Sequence, residues 1–282
     1  MIHSMFMRFP SGKAKVFTLS YDDGTVFDRP LIELFNKYQV KATFNLNSDR
    51  IIKANENPNR ETRPRLNQRE LSELFEGTDH EIAVHTCTHP SLATIPQASA
   101  VSQIVNDRKA LEKMFGRIVR GMAYPNGTWA VDDKSVEAAR CAGIVYARGT
   151  RATHKFDLPT GDFLRLEPTC HHNDAAIFEL IDSFLADPVK RFPLMLYVWG
   201  HSYEFDDKNN WDHMEKVLSA VAERDDVWYA TNIEIFDYIN AFNQLQFSVD
   251  MSMVHNPTAV DLCFENSKGE IEKISAGQTL MR

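Results

Sequence analysis

Apolar residues in roughly the first 245 positions fall into short runs that alternate with longer segments of helical periodicity. The first run, residues 15–21, is rich in β-branched and aromatic side chains and predicts a strand. In residues 29–39, which follow it, apolar side chains recur at helical spacing. Runs that begin at residues 40, 81, 118, 143, 162 and 192 predict further strands, and residues 100–115, 134–142, 175–186 and 211–224 predict further helices.

The repeated alternation of strand and helix predicts an α/β fold. Successive strand–helix units build a parallel sheet with helices outside it, and we expect a sheet closed or nearly closed into a barrel. After residue 245 the pattern changes to short apolar runs separated by Asn-Pro and Lys-Gly turns. We therefore predict a main domain of residues 1–245 and a small β appendage of residues 246–282. Catalytic groups are expected at the carboxyl ends of the barrel strands.

Composition restricts the class of protein. The chain has 282 residues, of which 43% are hydrophobic and 25% charged, enough to bury one substantial core. Its formal net charge of −8 disfavours nucleic acid as a partner, because phosphate binding relies on clustered Lys and Arg. The four cysteines form no CxxC pair, which favours free thiols over disulfides or a thiolate zinc site. The amino terminus lacks a continuous apolar segment, so we expect no signal peptide, no membrane partner and a cytoplasmic location.

Two adjacent carboxylates, Asp22 and Asp23, end the first predicted strand. Side by side in an apolar setting they repel each other and are costly to desolvate, which indicates a bound cation or a shared proton. An Asp-Gly sequence also forms an ordinary turn without such a function. Because neighbouring side chains of a strand point to opposite faces, we expect the two carboxylates to have different roles.

Histidines contribute the next signals. His85 and His89 follow an apolar run, and imidazole is a common ligand of zinc and similar cations. Pro90 disfavours a helical conformation at His89, so we expect the pair on a turn at a strand end. A third histidine, His201, ends the strand predicted at residue 192, where a purely structural role is the alternative.

The Pro-Asn-Gly sequence at residues 125–127 follows another predicted strand and is a turn signal. Such a loop can direct a peptide N–H at a developing oxyanion. Four aromatic residues lie near these polar strand ends and could offer a stacking surface to a sugar ring, although aromatic residues at such positions more often belong to the core. They are Tyr124, Trp129, Trp199 and Tyr203.

In their order along the chain, TLSYDDG, HTCTH, AYPNG and LMLYVWGH resemble the motifs of polysaccharide deacetylases of carbohydrate esterase family 4, the NodB-like deacetylases. The resemblance covers about residues 15–240 and implies a distorted (β/α) barrel. It also implies that Asp22 is the catalytic base and that His201 is the general acid. By the same resemblance, Asp23, His85 and His89 bind one divalent metal ion, zinc or alternatively cobalt or nickel.

The resemblance extends to the substrate side of the site. It implies that the backbone N–H of Asn126 holds the oxyanion, and we expect Tyr124 and Trp199 beside the substrate. The implied activity is removal of N- or O-linked acetyl groups from a carbohydrate. Alternatives are hydrolysis of small amides or ureides, as in allantoinase-like proteins, carbohydrate binding by a decayed site, and a structural scaffold without metal.

The sequence departs from the family pattern in two places. Ala123 stands where the third motif usually has an Arg that steadies the base, and Arg148 or Arg165 is the candidate replacement. The fourth motif, an Asp near a Trp that tunes the acid, is not evident. Glu167 is the candidate for that carboxylate.

Overall fold

The computed structural model of the chain describes residues 5–51 and 63–281. The α-helices in this part are α1 (Asp28–Lys37), α2 (Gln68–Phe75), α3 (Gln97–Phe115), α4 (Asp133–Cys141), α5 (Ile177–Ala186), α6 (Tyr203–Asp207), α7 (Trp211–Val221) and α8 (Asn232–Asn243). The strands are β1 (Phe6–Arg8), β2 (Lys15–Asp22), β3 (Thr43–Leu46), β4 (Glu81–Val84), β5 (Gly121–Ala123), β6 (Tyr146–Arg148), β7 (Cys170–His171), β8 (Leu194–Gly200), β9 (Val227–Tyr229), β10 (Gln246–Phe247), β11 (Met253–His255), β12 (Leu262–Glu265), β13 (Ile271–Ile274) and β14 (Thr279–Met281).

The main sheet is parallel and follows the order β6-β5-β4-β3-β2-β8-β7, with β9 also paired to β2. It curls into a half-barrel, so the α/β barrel-type fold predicted from the alternation is confirmed. Strand β2 is buried at all eight positions and pairs with β3, β8 and β9. Its carboxyl end therefore lies in the middle of the sheet, where side chains of several strands can meet.

Six predicted strands correspond to β2, β3, β4, β5, β6 and β8, but the strand predicted at residue 162 is wrong. Residues Phe163–Arg165 form a 3-10 turn, because the Asp162 side chain accepts a hydrogen bond from the Leu164 N–H at 3.0 Å. The strand before α5 is β7 instead. Sequence reasoning also missed helix α2, although Asn67 and Glu70 form a capping box at its start.

The carboxyl-terminal residues form two small antiparallel sheets, β1-β12-β13 and β10-β11-β14. Strand β1 comes from the amino terminus, so the predicted boundary at 245/246 does not enclose the whole unit. An ion pair at 2.6 Å between Arg8 of β1 and Glu265 of β12 joins the two ends of the chain. The short strand β1 carries no turn or periodicity signal that would have revealed this pairing.

A second hydrophobic core joins this β unit to the main sheet through α8. It contains Phe9, Val16, Tyr238, Leu262 and Phe264, among others. The hydroxyl of Tyr238 donates to the Arg8 carbonyl at 2.7 Å and accepts from the Cys263 N–H at 2.8 Å. One buried side chain thus connects α8 to both β1 and β12.

All four cysteines are free thiols, as predicted. No helix within the described residues is both long enough and apolar enough to cross a membrane.

Replacing Tyr238 with Phe tests the connection between the two cores. The change leaves a buried carbonyl and a buried N–H without their partner, so we expect the free energy of unfolding to fall by about 2 kcal/mol. Urea denaturation followed by circular dichroism measures the loss. Tyr38→Phe is the control, because that hydroxyl makes only a 3.4 Å contact with Glu215 near the surface. Equal stability of Tyr238→Phe and the unmodified chain would contradict the assignment.

Candidate active site

The carboxyl ends of the parallel strands bring the predicted site residues together. Asp22 ends β2, His85 follows β4, and His201 follows β8. Strands β2 and β8 are neighbours, and their register pairs Tyr21 with Gly200. The side chains that were predicted to act together therefore lie at one edge of one sheet.

Asp22 is 3% exposed and is held from two sides. The Arg148 Nη2 atom donates to both of its carboxylate oxygens, at 2.5 Å to Oδ2. Asn45 of β3 donates to Oδ1 at 2.8 Å. Burial by itself raises the pKa of Asp22, but Arg148, His85 and His201 outweigh that effect and lower the pKa to about 2. The carboxylate is thus charged and fixed in orientation.

Arg148 stands in for the arginine that is missing at Ala123. The two residues are register partners in the adjacent strands β5 and β6. The guanidinium is fully buried, and it also donates to Ser20 Oγ at 3.2 Å and to the Gly149 carbonyl at 2.8 Å. The other candidate, Arg165, pairs with Asp133 at the surface.

Asp23 differs from Asp22 because its Oδ1 atom is buried and accepts no hydrogen bond. The residue lies beyond the end of β2 with φ of 85°, a left-handed conformation that redirects the chain. Its Oδ1 lies 4.0 Å from His85 Nε2, 3.8 Å from His89 Nε2 and 3.8 Å from Arg65 Nη2. The two carboxylates do not point to opposite faces, as strand alternation predicted, since Asp22 Oδ2 is also 4.0 Å from His85 Nε2. Their different partners separate their roles.

Hydrogen bonds to helix α3 and within the turn fix the segment that carries His85 and His89. Asp107 of α3 accepts hydrogen bonds from the N–H groups of His85 at 3.0 Å and Ser48 at 2.7 Å. His89 has φ of 62°, and its N–H donates to Thr86 Oγ1 at 3.1 Å. The pair thus lies on a turn at a strand end, as the sequence predicted.

The side chains of Asp23, His85 and His89 fit a divalent cation. One ligand atom from each lies within 4.8 Å of the others. His85 Nδ1 is 2.8 Å from the Ala123 carbonyl, so that ring donates on its far side and leaves Nε2 free to ligate, the usual arrangement of a metal-binding histidine. Burial lowers the pKa of both imidazoles, to about 4 for His89, which keeps them neutral. Asp23 Oδ1, which accepts no hydrogen bond, completes the donor set.

The carboxylate partner of His201 is Glu204, one turn further along the chain. His201 Nδ1 lies 2.7 Å from Glu204 Oε1, and its ring stacks on Tyr203. Burial disfavours the charged imidazole, but Glu204, together with Asp22 and Asp23, outweighs it and raises the pKa of His201. The suggestion of Glu167 for this role is wrong, because Glu167 accepts hydrogen bonds from Thr128 Oγ1 and the Arg151 N–H instead.

A second group of potential ligands consists of His171, His201 and Glu204. Here the hydrogen bonds argue against a cation. The Asn173 N–H donates to His171 Nδ1 at 3.1 Å, so the neutral ring carries its proton on Nε2, which lies 3.3 Å from Glu204. Despite burial, the imidazoles around Glu204 hold its pKa far below the usual range. In this group the protons stay on the imidazole rings, which face one shared, charged carboxylate.

The three residues predicted near the substrate have different surroundings. Asn126 is exposed in the loop after β5, with φ of 60°, and its side chain donates to Ser91. Trp199 is half-buried, with the Arg148 guanidinium 4.7 Å from its ring centroid and the His201 ring against it. Tyr124 is 2% exposed and its hydroxyl donates to the Leu164 carbonyl, so this ring belongs to the core.

Comparisons with known proteins find similarity to one family. A family model described as polysaccharide deacetylase matches residues 10–147. Chitin deacetylase 1 of Cryptococcus neoformans var. grubii is 28% identical over 130 residues, which are 46% of this chain and 24% of that protein. The match therefore spans about a quarter of the curated relative's length.

Two solved structures share the fold at low sequence identity. A polysaccharide deacetylase from Mycobacterium smegmatis superposes with a TM-score of 0.56 at 16% identity, over 85% of this chain and 95% of the other. A family 4 acetyl xylan esterase from Clostridium thermocellum, in complex with a cobalt ion, gives a TM-score of 0.51 at 13% identity, over 79% and 90%. These likenesses establish the NodB-like barrel as the fold.

The unequal surroundings of the two aspartates predict unequal effects on cation binding. Asp23→Ala should lower zinc retention after dialysis by tenfold or more, because it removes the buried oxygen that accepts no hydrogen bond. Asp22→Asn should retain the cation, since Arg148 and Asn45 already occupy the Asp22 oxygens. Mass spectrometry of metal content measures both variants, and thermal melting verifies that each is folded. Comparable loss in the two would mean that Asp22 is also a ligand.

Proposed function

We propose that this chain, whose residues 10–147 match the polysaccharide deacetylase family model, is a metal-dependent hydrolase that removes acetyl groups from a carbohydrate. One observation carries the proposal: a buried Asp23 oxygen that accepts no hydrogen bond faces two neutral imidazoles beside a charged, anchored Asp22. That combination offers a cation site and a base in one place.

Asp23, His85 and His89 would hold one divalent cation, zinc by donor chemistry, with cobalt and nickel as alternatives. When bound, such a cation polarises the acetyl carbonyl and lowers the pKa of a water molecule. Asp22 accepts the proton from the attacking water. The hydrogen bonds from Arg148 and Asn45 fix its carboxylate, so no reorientation is needed when the proton moves.

His201 protonates the departing sugar nitrogen or oxygen. Because Nδ1 is bound to Glu204, the ring presents Nε2 to the leaving group, and the same carboxylate favours the protonated form. The backbone N–H of Asn126 stabilises the oxyanion of the tetrahedral intermediate. Trp199 forms the wall between Arg148 and His201.

The substrate is an acetylated carbohydrate, with either an N- or an O-linked acetyl group. The names of two similar proteins, a chitin deacetylase and an acetyl xylan esterase, support this class. The alternative of a decayed site that only binds carbohydrate rested on the missing arginine at Ala123. Arg148, in the adjacent strand, pairs with Asp22 and takes away that reason. Hydrolysis of small amides or ureides is an outcome of the substrate screen.

An acetate-release screen with matched variants tests the proposal. Asp22→Asn should lower kcat by roughly 10²- to 10⁴-fold on an N-acetyl sugar, because an amide cannot accept the proton. His201→Ala should lose a similar factor on that substrate but much less on an activated acetyl ester, whose leaving group needs no proton. His255→Ala is the control, since that ring contacts Thr279 in the β unit. Undiminished acetate release by metal-free protein would contradict the proposal.

The pH profile tests the pairing of His201 with Glu204. The carboxylate raises the pKa of His201, so Glu204→Gln should lower it. Activity that needs protonated His201 is lost as pH rises through this pKa, and the alkaline limb of kcat should therefore move to lower pH in the variant. An unchanged alkaline limb would assign the limb to another group. Glu167→Gln, which removes a carboxylate bound elsewhere, should leave the limb in place.

A further inference from the structure

Arg65 lies against one of the candidate cation ligands, although the proposed mechanism gives it no role. Its Nη2 atom is 3.8 Å from Asp23 Oδ1, and its side chain is 5% exposed. A charged side chain is rarely buried to this extent unless a charge of opposite sign compensates it. The position of Arg65 therefore affects how strongly the site binds a cation.

Backbone contacts hold Arg65 in this place. A β-bridge pairs Arg65 with Thr25 of the loop that follows β2. In the same loop, the Val26 N–H donates to the Pro64 carbonyl at 3.1 Å. Leu66, the next residue along the chain, is 2% exposed in the hydrophobic core. The residues on both sides of Arg65 are therefore fixed, which keeps its guanidinium at the site.

Arg65 and Arg148 act differently on the two adjacent aspartates. Arg148 donates hydrogen bonds to both oxygens of Asp22 and so occupies them. Arg65 stays beyond hydrogen-bond distance of Asp23 Oδ1, which accepts no hydrogen bond. Arg65 therefore offsets the charge of Asp23 while the lone pairs of Oδ1 stay available to a cation.

A third carboxylate is also under the influence of Arg65. Asp28 is fully buried, and its Oδ1 accepts a hydrogen bond from Ser202 at 2.5 Å, whereas its Oδ2 accepts none. Burial raises the pKa of Asp28 to about 7, with Asp23 acting in the same direction and Ser202 and Arg65 against it. The guanidinium thus belongs to a buried group of charges around Asp23.

The balance of charge at the site gives the consequence. Two carboxylates, Asp22 and Asp23, face two guanidinium groups, Arg148 and Arg65, so that the four charges cancel. The affinity of a site for a divalent cation depends on the negative charge of its ligands. A guanidinium beside one ligand oxygen repels a cation that binds there, and burial strengthens this repulsion.

We propose that Arg65 is an internal counter-charge of the cation site, which offsets Asp23 in the metal-free protein and weakens the binding of a divalent cation. The proposal rests on the cation site of the proposed function and deepens it. Arg65 acts through Asp23 and sets how readily the metal exchanges. Hydrolysis therefore depends on the concentration of free cation.

The zinc affinity of the full chain measures this effect without turnover. Protein stripped of metal is titrated with zinc in competition with a chromophoric chelator. Arg65→Met, which removes the charge and keeps a long side chain, should bind zinc at least about tenfold more tightly. Arg65→Lys keeps the charge and should bind zinc about as tightly as the unmodified chain. Arg63→Met is the matched control and should change the affinity far less, because that guanidinium pairs with Asp207 at 2.8 Å near the surface.

Thermal melting gives a second readout. Without zinc, Arg65→Met should melt at a lower temperature than the unmodified chain, because buried carboxylates lose a compensating charge. With excess zinc, the melting temperature should rise further in Arg65→Met than in the unmodified chain, since the variant binds zinc more tightly. If Arg65→Met does not fold without zinc, Arg65→Gln is the uncharged variant for both measurements.

The outcomes separate the role of Arg65 from the proposed function. Unchanged or weaker zinc binding in the uncharged variant, or equally tightened binding in Arg65→Lys, would overturn the role of Arg65. Acetate release by the unmodified chain would then leave the hydrolase proposal intact. Tighter zinc binding by the uncharged variant, in a protein that releases no acetate, would support the role of Arg65 and overturn the hydrolase. A complete lack of zinc binding in every variant would overturn both.

Discussion

The buried ion pair between Asp22 and Arg148 is the constraint on which the rest of the site depends. The two residues end β2 and β6, which are four strands apart in the sheet. In a flat sheet, strands about 4.8 Å apart would place them roughly 19 Å from each other, beyond the reach of an arginine. The contact therefore requires the sheet to curl, and a buried, unpaired partner on either strand would be costly. The curvature of the sheet and the negative charge on Asp22 therefore depend on the same ion pair.

Hydrogen bonding then gives the two adjacent carboxylates different roles. Asp22 accepts hydrogen bonds from Arg148 and Asn45, whereas the buried Oδ1 of Asp23 accepts none and faces His85 and His89. A buried acceptor without a donor is unfavourable unless a cation occupies the space before it. Hydrogen bonding also distinguishes the His85 group from the His171 group as a cation site. His171 accepts a hydrogen bond on Nδ1, whereas His85 directs Nδ1 at a carbonyl oxygen and so leaves Nε2 free.

Much of this arrangement could be predicted from sequence because it depends on local order. Strand ends and motif spacing were enough to predict that one end of the sheet carries Asp22, Asp23, His85, His89 and His201. Contacts between distant segments could not be settled from the sequence, which left Arg148 and Arg165 as equal candidates for the partner of Asp22. Arg148 reaches Asp22 across 126 positions, β1 pairs with β12, and Tyr124 points inward, so its ring is in the core. Glu204 was missed for another reason: it lies on the short helix α6, only three residues from His201, where no motif of the resemblance directed attention.

The most direct test of this account is a zinc-edge anomalous difference map from crystals of the zinc-loaded protein. The account predicts one strong peak bounded by Asp23 Oδ1, His85 Nε2 and His89 Nε2, with ligand distances near 2.0–2.2 Å. In the same map Asp22 remains paired with Arg148. A peak at His171 and Glu204 instead, or a zinc coordinated by Asp22 with Arg148 displaced, would contradict it.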